Sequence, residues 1–133
     1  MEFYRNLKIP VSVGELFDKI SILEIKKSKI KDQKKLSNIN RELEHLGRHV
    51  HDGARDDSLF SELVVVNLTL WRAEDEIRDK ESRGVFDKNF VNLARSVYHL
   101  NDKRSEIKRK IDAKFGSYLT EEKEYSRYKP SSK

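Results

Sequence analysis

The stretch DSLFSELVVVNLTLWRAEDEIRDKE (residues 57–81) decides how the rest of the chain is read. It is long enough for about seven helical turns at 3.6 residues each. Leu59, Leu63, Val66, Leu70 and Ile77 recur at helical spacing, so one face turns toward a core. That face also carries Asn67, Glu74 and Glu81, seven residues apart, with Arg78 at its edge. An apolar stripe interrupted in this way predicts helices meeting around a polar seam. It speaks to architecture and names no substrate.

Downstream, ESRGVFD (residues 81–87) turns the chain, with Gly84 in the bend and Asp87 as the cap of a helix over residues 88–114. Its apolar face holds Phe90, Leu93, Ala94, Val97, Leu100, Ile107, Ile111 and Phe115. Arg104 falls near the centre of that face, with Asn101 and Lys108 beside it. Lys108, Arg109, Lys110 and Lys114 place positive charge near the helix C-terminus, where the macrodipole favours it. Gly116 ends the helix. The tail offers Tyr118, Leu119, Tyr125 and Tyr128 for docking, and residues 129–133 are expected to be disordered.

Upstream, HDGARDD (residues 51–57) breaks a helix expected over residues 33–50, with Gly53 suited to a left-handed stop. Asp32 caps that helix, and Leu36, Ile39, Leu43, Leu46 and Val50 form its seam. Ser12 and Glu15 make an S-x-x-E capping box, so the first helix begins at Val13. Val13, Leu16, Phe17, Ile20, Leu23 and Ile30 line its apolar side, which Glu24 and Lys27 share. Ile22 and Ile25 lie roughly opposite, beside Asp18, as a second apolar strip. The expected fold is all-α: four main helices as two antiparallel hairpins forming a bundle. A short extended lead-in (MEFYRNLKIPV) precedes it, and the Tyr-containing tail follows. Residues 1–128 read as one helical domain.

Composition agrees with a helical domain that needs no staple. Of the 133 residues, 36% are hydrophobic and 38% charged, with two prolines. The chain has no cysteine, hence no disulfide and no thiolate chemistry. No apolar run approaches the roughly 18 residues that span a bilayer, and the expectation is a cytoplasmic protein. The net charge of +5 arises from 28 basic residues among 23 acidic ones, so any field is patchy.

The polar groups on core-facing stripes form a set: Glu24 and Lys27; Asn67, Glu74, Arg78 and Glu81; Asn101, Arg104 and Lys108. A short turn makes the third and fourth helices antiparallel neighbours, with Arg104 in reach of Glu74 or Asn67. Buried charges must be paired or wetted. One reading is a salt-bridge and hydrogen-bond network that fixes helix register. The other is a pocket in which Arg104, Lys108 and Arg78 bind a carboxylate or phosphate.

The segments IPVSVGELFDKISILEIKKSKI (residues 9–30), VNLTLWRAEDEIRDKE (66–81) and FVNLARSVYHLNDKRSEIKRKI (90–111) carry a resemblance, as does GSYLTEEKEY (116–125). They resemble an uncharacterised family of short all-helical bacterial and phage proteins, often encoded near polysaccharide glycosyltransferases. The resemblance covers most of the chain, leaving out the first eight residues and residues 51–61. It implies a helical domain of unassigned activity, and no catalytic residue carries over from it.

An enzyme alternative is a magnesium-dependent all-α nucleotide pyrophosphohydrolase of the MazG-like kind. Glu76 and Asp79 have its E-x-x-D spacing, and Glu15 and Asp18 are a looser echo. No E-x-x-E precedes Glu76, however, and Glu76 and Asp79 project away from the apolar face. His45 and His49 are spaced for a metal but lie on the polar side of their helix, and no metal site is expected. Lys26, Lys29, Lys31, Lys34 and Lys35 form a basic patch without interleaved aromatics, so specific nucleic-acid binding is not expected. Ile22, Ile25, Val64, Val65 and Leu68 exceed what one core seam uses, which favours a homodimer. The reading is therefore a non-catalytic helical binding or assembly module with an internal Glu/Arg/Asn network and no cofactor.

Overall fold

Side-chain caps set where each helix begins. Ser12 Oγ accepts from Glu15 N–H at 3.1 Å and opens α1 (Val13–Lys29). Asp32 accepts from Lys35 N–H at 3.0 Å and opens α2 (Gln33–Gly47). Asp57 accepts from Leu59 N–H at 2.8 Å before α3 (Ser58–Ser82), and Asp87 from Phe90 N–H at 2.9 Å before α4 (Lys88–Lys114). Each satisfies an amide that the first turn leaves without an intrahelical partner. These elements come from a computed structural model that describes residues 1–123. Among them there is no strand, and a short 3-10 turn (Ala54–Asp56) leads into α3.

The second helix stops at Gly47, short of the expected Val50. There His49 N–H donates to Leu46 at 3.0 Å and Val50 N–H to Gly47 at 3.4 Å, so the chain tightens out of α geometry. Val50 still packs on the core, from the loop. Tyr118 does not dock as expected, being 98% exposed, and Tyr125, Tyr128 and residues 129–133 lie outside the described residues.

The core joins Phe17, Ile20 and Leu23 of α1 to Ile39 and Leu43 of α2, Phe60, Leu63, Val66 and Leu70 of α3, and Ile107 and Ile111 of α4. The first helix packs against α2 and also against both α3 and α4, so it is buried on two sides. That second contact buries Ile25 and half-buries Ile22, so the α1 part of the strip expected to await a partner is covered within the chain; of the α3 part, Val64 and Leu68 are half-buried and Val65 is 63% exposed.

The α3–α4 hairpin is clamped at both ends by its own caps. Lys114 reaches Asp57 at 2.5 Å, and Lys80 reaches Asp87 at 3.3 Å. The Lys114 ammonium and then the Leu59 amide hold the Asp57 carboxyl below its ordinary range; the Phe90 amide, then Lys80, do the same for Asp87. Between these clamps the hairpin is uneven. On α3 no residue after Ala73 is buried, and on α4 none before Ile107. Among the described residues no helix is long and apolar enough to cross a membrane.

Candidate functional site

The polar centre of the molecule lies where α1 enters the hairpin, and a glycine lets it in. A Cβ on Gly14 would stand 2.5 Å from the Lys108 carbonyl oxygen, so any side chain there pushes α1 off α4. At this close approach Gly14 N–H donates to Asp112 Oδ1 at 2.7 Å, and Val13 N–H to Ser117 Oγ at 3.0 Å. The end of α4 thus caps the start of α1, placing a carboxylate at the positive end of its dipole. The other Asp112 oxygen, Oδ2, is buried with no hydrogen-bond partner among the described residues.

One turn along α1, Asp18 is 1% exposed and fully engaged. Its Oδ1 accepts from Arg104 Nε at 2.9 Å and from Asn67 Nδ2 at 2.9 Å, and its Oδ2 accepts from Arg104 Nη2. Asn67 also donates to Ser21 Oγ at 2.7 Å, and that hydroxyl donates to the Asp18 carbonyl at 2.7 Å. The hydrogen bond from Asp18 outweighs burial and raises the Arg104 guanidinium above its usual range.

Lys108, also buried, donates to Glu15 Oε2 at 2.7 Å and to Glu121 Oε2 at 2.6 Å. Burial pulls its ammonium down, but the bonds to Glu121 and Glu15 prevail and hold it above the usual lysine range. In return Lys108 holds Glu121 below the usual carboxylate range. The cluster joins α1, α3, α4 and the segment after α4. Fixed donors and carboxylates in a dry setting make strong, directional contacts.

Of the nine residues singled out from the sequence, Asn67, Arg104 and Lys108 meet here, and the rest do not. Glu24 is half-buried and pairs with Arg55 at 3.0 Å, while Lys27 is exposed. Glu74 and Arg78 pair with each other at 3.7 Å on the surface, Glu81 is exposed, and Asn101 is half-buried. The expected Glu74–Arg104 pair is replaced by Asp18–Arg104 for a reason of register. The two end clamps set Arg104 across from Asn67, and Glu74 lies two turns further toward the hairpin bend, about 10 Å away. Asp18, Ser21, Asp112, Glu121 and Glu15 are not among those nine; the sequence offers Glu15 as half of a capping box and, with Asp18, as a loose E-x-x-D echo, not as partners of Lys108 and Arg104. The available signal was Asp18, Ser21 and Ile25 at i, i+3 and i+7, a helical face that a two-sided α1 buries.

Arg78 is exposed about three turns along α3 from Asn67, so Arg104, Lys108 and Arg78 do not converge on one anion. Glu76 and Asp79 are exposed, with Asp79 paired to Arg83 at 2.8 Å, far from Glu15 and Asp18 in the network. Among the described residues no three His, Cys, Asp or Glu side chains gather as metal ligands, and His45 and His49 are both exposed. A shallow depression on α2 is lined by Gln33, Leu36, Ser37, Asn40, Arg41 and Glu44, all from one helix, so no second element closes it.

A family model described as a family of unknown function (DUF6165) matches residues 7–132. Neither the curated proteins nor the solved structures give a match.

Proposed function

We propose, for a chain that belongs to the DUF6165 family of unknown function, that it is a non-catalytic helical assembly module. It pairs with a second copy through the bend end of the α3–α4 hairpin. The observation that supports this reading is the apolar face left near the hairpin bend. Phe86 is 59% exposed, Val91 and Tyr98 are each 42% exposed, and Ala94 is exposed between them. Phe86 stacks edge-on against the half-buried Phe90 with ring centroids 5.2 Å apart, which extends the face. Removing apolar surface from water contributes about 25 cal/mol per Å². Closed twofold pairing is the commonest way for a chain to cover such a face.

The buried network fits a supporting role in this scheme. Its cations are occupied by the chain's own carboxylates, so it acts as a register lock that presents the hairpin at a fixed angle to the body. An assembly role also suits the resemblance to small helical proteins encoded near polysaccharide glycosyltransferases, since a subunit without chemistry acts on neighbours by contact. Light scattering on size-fractionated protein tests the reading. The wild type should rise from 15.7 kDa toward twice that mass across the micromolar range. Val91→Asp should stay at the lower mass with unchanged helical circular dichroism. A wild type that remains at the single-chain mass throughout overturns the pairing.

A further inference from the structure

The segment after α4 is held to the body mainly by ion pairs. Gly116, at φ 65°, turns the chain back, and Ser117 stays with the body through Val13 N–H and through its own N–H to the Asp112 carbonyl at 2.9 Å. Beyond it, residues 118–123 form neither helix nor strand. Tyr118 is 98% exposed and Leu119 is only partly covered at 37%, so apolar contact does little to anchor the segment. The attachments to the body are carboxylate to cation. Glu121 meets Lys108 at 2.6 Å, and Glu122 meets Arg109 at 3.2 Å. Two consecutive acids lie on two consecutive bases.

We propose that the Lys108–Arg109 surface of α4 is a binding site for a peptide segment bearing two consecutive carboxylates. Residues 118–123 are its resident, self-inhibiting occupant. With that segment lifted, Lys108 keeps Glu15 as its remaining ion partner, and Arg109 loses its acid. The two contacts divide the work. The Lys108 contact is 7% exposed on the lysine side and little screened, so it supplies the hold. The Arg109 contact is half in solvent and sets which acid follows which. Because the occupant is tethered, it acts at an effective concentration on the order of millimolar, and an outside segment has to displace it. An acidic stretch on a partner would therefore bind by exchange, releasing residues 118–123.

Fluorescence anisotropy tests this with the full-length chain and a labelled peptide of its own residues 117–123, SYLTEEK. The Glu121→Gln/Glu122→Gln chain, whose own segment no longer competes, should bind the peptide about tenfold more tightly than the wild type, roughly 1.4 kcal/mol. Adding Arg109→Gln, an exposed change that spares the fold, should give back part of that gain, about two- to threefold. A peptide with glutamine in place of both glutamates should not bind. Equal affinity for the two chains, binding to neither, or binding indifferent to Arg109→Gln overturns the site.

Discussion

Gly14 is the residue at which one missing methyl group sets how close two helices come. In an ordinary helix interior, Gly→Ala stabilises by up to about 1 kcal/mol. Here the added carbon would meet the Lys108 carbonyl at 2.5 Å and Asp112 Oδ1 at 3.0 Å, and a backbone atom cannot step aside as a flexible side chain does. Gly14→Ala is therefore expected to cost about 1–3 kcal/mol, the range for overpacking. Gly47→Ala is the control, since nothing stands nearer than 3.9 Å there and its backbone is not left-handed, so it should be neutral or mildly stabilising. Urea unfolding of the two variants measures both, and a stabilising Gly14→Ala would mean the close approach is absent. Local sequence carries little trace of this contact. Ser12 and Glu15 announce a helix start, but what lies against the next turn depends on α4, nearly a hundred residues away. Asp18 follows the same logic: it stands beside the second apolar strip of α1, and its burial and its partners depend on the distant α3 and α4 that cover that strip.

At the scale of elements, the helices were legible because the caps and the seams agree. Asp57 and Asp87 precede apolar periodicities that start where α3 and α4 start. The register of the hairpin was not legible, since it rests on Lys114 and Lys80 reaching those same caps from the neighbouring helix, and periodicity within a helix says nothing of its partner. The double duty has a pH signature. Both carboxyls are held below their unfolded value of 3.8. Their contribution is present above that value and is lost as pH falls through the lower folded one. The wild-type thermal midpoint should drop between about pH 5 and about pH 2, and Asp57→Asn/Asp87→Asn, starting lower at neutral pH, should drop less. Lys108 has the opposite sign. Raised in the folded state, its contribution holds below the unfolded value of 10.5 and fades as pH rises through the folded one. If the Asn variant loses as much on acidification as the wild type, the clamps are not what acid dissolves.

For the molecule as a whole, stability should be graded along the hairpin. The base is tied by the network and by Phe60, Leu63, Val66, Ile107 and Ile111, whereas residues 74–106 of α3, the bend and α4 contribute no buried residue. Amides open locally in proportion to what holds them, so burial at one end and exposure at the other predict a gradient of protection. In hydrogen exchange at low protein concentration, amides around residues 63–70 and 107–112 should be the slowest, and those of residues 76–82 and 88–96 distinctly faster. The hairpin end is also where a second copy would pack, so raising the concentration should slow exchange there and leave the base unchanged. Protection that is uniform along both helices at low concentration would show that the hairpin end is held by its own seam. In that case the exposed face of Phe86, Val91 and Tyr98 costs the single chain no rigidity, and a second copy would have nothing to steady.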